Sequence, residues 1–203
     1  MPSGELADAL ARLDEITRRL RRECPWDREQ DERSIVPHTV EEAYELADAA
    51  NAGDDARMLD ELGDVLFQVY FLSLLLEERG SGDLAAVAEH CRQKLIRRHP
   101  HVFGEREART AADVVRNWDQ IKREDERGGE LFGHIPETLP ATLYAKKVLK
   151  RAHSAGVEPG PDSDDGPGAR LLDAVREAVE AGADPELALR EAADRYRRRI
   201  EAA

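Results

Sequence analysis

The sequence predicts an all-α protein, on three observations. Aromatic residues make up only 5% of the chain. Long stretches are dense in the strong helix formers Ala, Leu, Glu and Arg. Apolar residues recur at helical rather than alternating spacing, so a sheet is hard to find. At 203 residues the chain has room for one domain with a sizeable core, or for one domain plus a small appendage, and is a tight fit for two full catalytic domains. Hydrophobic residues at 41% and charged residues at 36% fit a soluble protein rich in exposed helices.

Each helix has its own signal. Leu6, Leu10, Leu13, Ile16 and Leu20 repeat at helical spacing and form a first amphipathic helix, which stops before a turn-like Cys24-Pro25-Trp26-Asp27. A second helix is predicted from Ser34 to Asn51, broken by Gly53 and its acidic neighbours. A third covers Asp55 to Glu78 and ends near Gly80 and Gly82. A fourth runs from Asp83 to Arg98, where His99-Pro100 stops it. Thr110 is the expected N-cap of a helix through Trp118 to about Glu124, and another helix spans Thr138 to His153. Residues 156–168, rich in Gly, Pro and Asp, read as a linker. Two last helices, Ala169 to Ala181 and Asp184 to Ile200, follow it.

The second half contains an internal repeat. Asp184 to Arg199 aligns with Asp83 to Arg98, pairing Lys94 with Arg195 and Arg97-Arg98 with Arg198-Arg199. One helix earlier Gly168 aligns with Gly63, which puts Gly166 and Ala169 opposite Glu61 and Asp64. Residues 169–203 therefore read as a degenerate half-repeat without carboxylates, and residues 1–155 as the module that carries the chemistry. Chance similarity between two Ala/Arg-rich helices is the competing explanation.

Composition excludes several function classes. A formal net charge of -13 argues against general binding to nucleic-acid backbones, which requires a broad basic surface. Cys24 and Cys91 match neither a disulfide framework nor a zinc spacing and fit a reducing, cytoplasmic location. The longest apolar stretch, Val65 to Leu76, is interrupted by Gln68 and Ser73 and is too short to span a bilayer; no signal peptide is visible, so no membrane partner is expected. Walker-type phosphate loops and G-x-S-x-G elbows are absent.

The chemistry is expected in two pairs of carboxylates. Glu42 and Glu45 are three apart on the second helix, as are Glu61 and Asp64 on the third, so each pair shares a helix face. If the helices form an antiparallel hairpin about Gly53, Glu45 and Glu61 lie eight residues from it on either side, and Glu42 and Asp64 eleven. A rise of about 1.5 Å per residue sets the two pairs level, roughly 12 and 16 Å from the turn. Four converging carboxylates repel unless cations are present or some hold protons. An all-oxygen set favours Mg²⁺, or Mn²⁺, over zinc. Such a cluster also reads as a solvated acidic face. Against that, ten of the twelve residues from Val65 to Leu76 are apolar, so the third helix is expected to be buried all round, inside a dimer, and carboxylates aimed into such surroundings need a partner.

Lys94, Arg97 and Arg98 fall at i, i+3 and i+4 on the fourth helix, a patch able to hold a triphosphate chain, with a solvated helix end as the alternative. Trp118 and Lys122, at i and i+4, are candidates to stack on a base and reach a phosphate, although a helical Trp more often serves the core. His99 and His101 flank a proline and read as loop residues.

Taken in order, CPWDREQ, VEEAYELADA, DELGDVLFQV, KLIRRHPHVFG, NWDQIKREDE and IPETLPATLYAKKVLKRA resemble the MazG family of nucleoside triphosphate pyrophosphohydrolases, over about Leu6 to Gly156. The resemblance implies an all-α fold built as a four-helix bundle formed in a dimer, with Mg²⁺ on Glu42, Glu45, Glu61 and Asp64. It also implies Lys94, Arg97, Arg98, Trp118 and Lys122 at or near the nucleotide. The implied reaction converts an NTP or dNTP and water to NMP and diphosphate, with Glu41 as the candidate to orient or deprotonate the attacking water. Fuller members carry two modules in tandem, and this chain keeps only one and a worn half. Three matters stay open: a related phosphoanhydride as substrate, a nucleotide-binding regulatory protein without hydrolysis, and whether dimers pair into tetramers.

Overall fold

A computed structural model describes residues 4–126, 130–157 and 166–202, and the fold is all-α, with no strand among them. The chain forms two compact units, residues 1–94 and 95–203.

The first unit is organised by α3 (Glu32–Ala52) and α4 (Asp55–Glu78). The Asp31 carboxylate accepts hydrogen bonds from the Arg33 and Ser34 amides at 2.9 Å, while the Ser34 hydroxyl accepts from the Asp31 amide at 3.0 Å. This reciprocal capping box starts α3 two residues before the expected Ser34. Gly53 ends it in the left-handed region at φ 65°; its amide and that of Asp54 close back on the Ala50 and Ala49 carbonyls at 3.2 Å. A side chain at that φ is strained, so the glycine fixes the turn. Asp54 then caps α4, accepting from the Arg57 amide at 3.1 Å. The antiparallel register can be checked far from the turn. Ile35 and Phe71, each eighteen residues from Gly53, pack with Leu75 in a buried cluster lined by Phe67 and Leu72.

Two further helices brace this hairpin. In α1 (Gly4–Glu23), Arg18 donates to both oxygens of Glu77 at 2.9 and 2.7 Å and Arg21 to both of Glu78 at 2.8 Å. These bonds hold the Glu77 and Glu78 carboxyls below the ordinary range. Cys24-Pro25-Trp26-Asp27, expected as a turn, instead opens the short helix α2 (Pro25–Glu29), with the proline in its first turn where no amide is needed. Arg21 donates to the Asp27 and Gln30 carbonyls and lies 5.8 Å from the Phe71 ring, tying α1, α2 and α4 together.

Within one chain α4 is not buried all round. Glu61, Gln68, Tyr70, Phe71, Ser73 and Leu75 are buried, but Leu59, Leu62, Leu66 and Val69 are exposed. α1 covers that side of α4 only in its C-terminal half, where the Tyr70 hydroxyl donates to the Leu10 carbonyl at 3.3 Å, and leaves the N-terminal half of the same stripe open.

The helix α5 (Leu84–Arg98) ends the first unit and contributes its last residues, from Leu95, to the second. The second unit continues with α6 (Pro100–Phe103), α7 (Ala111–Glu126), α8 (Ala141–Ser154), α9 (Pro167–Glu180) and α10 (Pro185–Glu201). Thr110 caps α7 as expected. Its hydroxyl accepts from the Asp113 amide at 3.2 Å and its amide donates to the Asp113 carboxylate at 2.9 Å. α8 starts three residues after the expected Thr138, because Pro140 in an extended conformation precedes it and disfavours helix at Leu139. α8, α9 and α10 pack together, with Lys146 bound to Asp184 at 2.6 Å. Most of the expected linker, residues 158–165, lies outside the described residues.

Phe71 is fully buried, so Phe71→Ala is expected to cost about 3–5 kcal/mol. A urea titration followed by circular dichroism measures it.

Candidate active site

Helical phase and the Gly53 turn determine which acids meet. One oxygen each from Glu42, Glu45 and Glu61 lie within 4.8 Å of one another. Glu61 is buried, Glu42 half-buried and Glu45 exposed. Burial raises the Glu42 carboxyl above its ordinary value first, and among neighbouring charges Asp64 raises it most. Burial likewise raises Glu61, with Glu45 the leading charge. The electrostatics thus follow the level pairs expected from the hairpin, Glu42 with Asp64 and Glu45 with Glu61. Asp64 itself is exposed and stands outside the set of three. At the same level as Glu42, its side chain is one methylene shorter.

Two neighbours modify this cluster. Glu41 is exposed and lies 3.7 Å from His38 Nδ1. Arg57, one turn before Glu61, places Nη2 3.6 Å from Glu61 Oε1. The sequence reading missed Arg57, although its i, i+4 spacing to Glu61 was there to be seen. Three carboxylates in this proximity, two of them with raised pKa values and none with a His or Cys companion, suit a hard divalent cation.

Lys94 is half-buried at the end of the first unit. In the second unit Arg97 is exposed and Arg98 buried, with the Arg98 guanidinium 5.5 Å from the Trp118 ring. His99 lies outside any helix, as expected, between α5 and α6, and meets Trp118 edge-on at 4.8 Å; His101, also expected in a loop, lies instead in α6, 5.5 Å from His99. Trp118 is therefore half-buried and already packed by Arg98 and His99. Lys122 follows one turn later on α7, also half-buried.

Residues 30–103 match the MazG nucleotide pyrophosphohydrolase domain. The chain carries a MazG domain. The match contains all the clustered carboxylates together with Lys94, Arg97 and Arg98. The chain is 40% identical, over 100% of its own length and 84% of the relative's, to the uncharacterized 26.1 kDa protein in the blaB 3′ region of Streptomyces cacaoi. It is 39% identical to the nucleoside triphosphate pyrophosphohydrolase of Escherichia coli K12, over 66% of this chain and 52% of that one. The chain thus spans about half the length of this relative. A solved mazG-related protein from Thermotoga maritima aligns over 56% of this chain and 98% of its own, at 26% identity and a TM-score of 0.48.

Raised carboxyl pKa values have a definite consequence for stability. A group held above its unfolded value favours the protonated folded protein, so its stabilisation is complete below the ordinary glutamate range and is lost as pH rises through the raised value. In EDTA, Glu61→Gln is expected to melt above the parent at pH 7, with the difference disappearing as pH falls to about 4. Thermal melts across that range test it, and a parent more stable than the variant at pH 7 would contradict it.

Proposed function

We propose that this protein is a Mg²⁺-dependent nucleoside triphosphate pyrophosphohydrolase that converts an NTP or dNTP to NMP and diphosphate. The observation that carries this reading is the convergence of Glu42, Glu45 and Glu61 from two helices, with oxygens within 4.8 Å. The MazG domain match and the name of the Escherichia coli relative support it. Glu42, Glu45 and Glu61 would hold the metal, with Asp64 completing the set; Mn²⁺ meets the same donors. When bound, the cation neutralises phosphate charge and makes water a stronger nucleophile.

The chain's own groups then have separate tasks. Glu41 is outside the cluster and remains available to take the proton of the attacking water. Lys94, Arg97 and Arg98 are assigned to phosphate oxygens, where they offset charge developing on the leaving diphosphate. Trp118 and Lys122 are assigned to the nucleotide on the same basis. Among the described residues no helix is long and apolar enough to cross a membrane. The free thiols of Cys24 and Cys91 fit a cytoplasmic location, where a housecleaning role on nucleotide pools is open to the protein.

The exposed stripe Leu59, Leu62, Leu66 and Val69 supports a homodimer, because an apolar row of that length on the site-bearing helix is costly in water. Tetramers are a further possible assembly. Sedimentation velocity is expected to show a dimer that Leu62→Asp/Leu66→Asp converts to monomer; a monomeric parent would remove the dimer from this reading.

Pyrophosphate release from a panel of NTPs and dNTPs tests the reaction. Glu61→Ala and Glu45→Ala are each expected to lower kcat/KM by more than about 100-fold with saturating Mg²⁺, equivalent to about 2.7 kcal/mol of transition-state stabilisation, and EDTA to abolish release. Nucleotide-dependent thermal stabilisation without release from any substrate would instead favour a nucleotide-binding regulator.

A further inference from the structure

Gln68 is 93% buried in effect, with 7% of its surface exposed, and its Oε1 has no hydrogen-bond partner among the described residues. A buried amide oxygen left in that state is destabilising unless a ligand or an ordered water that a ligand can displace completes it. Seven residues separate Gln68 from Glu61 on α4, and seven residues turn a helix through nearly two full turns, so the two side chains leave the same face. Gln68 and His38 are both fifteen residues from Gly53. They mark a level between the acidic cluster and the buried Ile35, Phe71 and Leu75. At this level Trp26, half of whose surface is exposed, meets the His38 ring at 6.0 Å.

We propose that Gln68 is a specificity-determining residue that hydrogen-bonds the nucleoside of the substrate, through a sugar hydroxyl or a polar edge of the base. This rests on the nucleotide reading above. The axial offset is about 10 Å from Glu61 and about 6 Å from the level of Glu42 and Asp64, beyond direct ligation of a cation held at the level of Glu45 and Glu61 but comparable to the reach from an α-phosphate to its nucleoside. A second copy does not explain the open oxygen, because the exposed stripe of Leu59, Leu62 and Leu66 lies on nearly the opposite face of α4. A carboxamide offers both a donor and an acceptor, as recognition of a neutral polar edge requires. Ile35 and Phe71 provide an apolar floor beyond it.

The test compares the full chain with Gln68→Met, which keeps the length of the side chain and removes the amide. The variant is expected to melt about 3 °C above the parent, since an unsatisfied buried group is gone. Its KM for nucleoside triphosphates should rise at least tenfold, with kcat within threefold and Mg²⁺ affinity by calorimetry unchanged. An unchanged KM, a loss confined to kcat, weakened Mg²⁺ binding or a lower melting temperature would each overturn the assignment. If the parent hydrolyses nothing, the proposed reaction fails separately. Calorimetric titration of AMP, GMP, CMP and UMP with Mg²⁺ then decides on Gln68: tenfold weaker binding to the variant supports it, and equal binding or none to the parent overturns it.

Discussion

Mutual repulsion among Glu42, Glu45 and Glu61 is the constraint that the rest of the first unit answers. Three carboxylates within 4.8 Å resist approach, and Arg57, 3.6 Å from Glu61, offsets this only in part. The hairpin forces the approach from both sides. At one end Gly53 closes the turn in a conformation that other residues adopt only with strain. At the other, Ile35, Phe71 and Leu75 bury apolar surface between the helices and Arg18 and Arg21 clamp α1 to the end of α4. Hydrophobic burial responds far less to pH than the carboxylate cluster does, so the apolar part of the scaffold outlasts changes in the site's protonation.

Much of this arrangement was legible in the sequence because it depends only on phase and count. The level pairs followed from helical geometry and one glycine, and the charge that each buried acid feels most comes from its expected partner. The fourth ligand was less legible: register places Asp64 beside Glu42, but side-chain length decides whether an oxygen arrives. Arg57 is less legible, because its only sequence signal is the i, i+4 spacing to Glu61, which many exposed helical pairs share. A loop fits His99, which lies between two helices, but not His101, because the chain makes one more short helix after Pro100. Burial of α4 on every side is expected inside a dimer, and a single chain supplies only part of it, because apolar composition reports what a helix can bury and not how many neighbours one chain provides.

α4 carries two unlike surfaces on adjacent residues. Glu61 and Asp64 face the acidic cluster, while Leu62 and Leu66 lie bare on the other side. Assembly and chemistry are thus written into one stretch of backbone. A rotation of α4 that improved packing on its apolar side would misplace Glu61 on the other.

The symmetry of the hairpin about Gly53 makes it far more sensitive to insertion and deletion than to substitution. One residue added between Glu45 and Ala49 turns Glu42 and Glu45 by about 100° relative to the turn and moves them about 1.5 Å along the axis, carrying both acids away from Glu61 at once. Most single substitutions along the same stretch leave phase untouched. Length variation between relatives should therefore collect outside the two arms, in the turn itself or beyond Ile35 and Phe71, while the spacing within each arm stays locked.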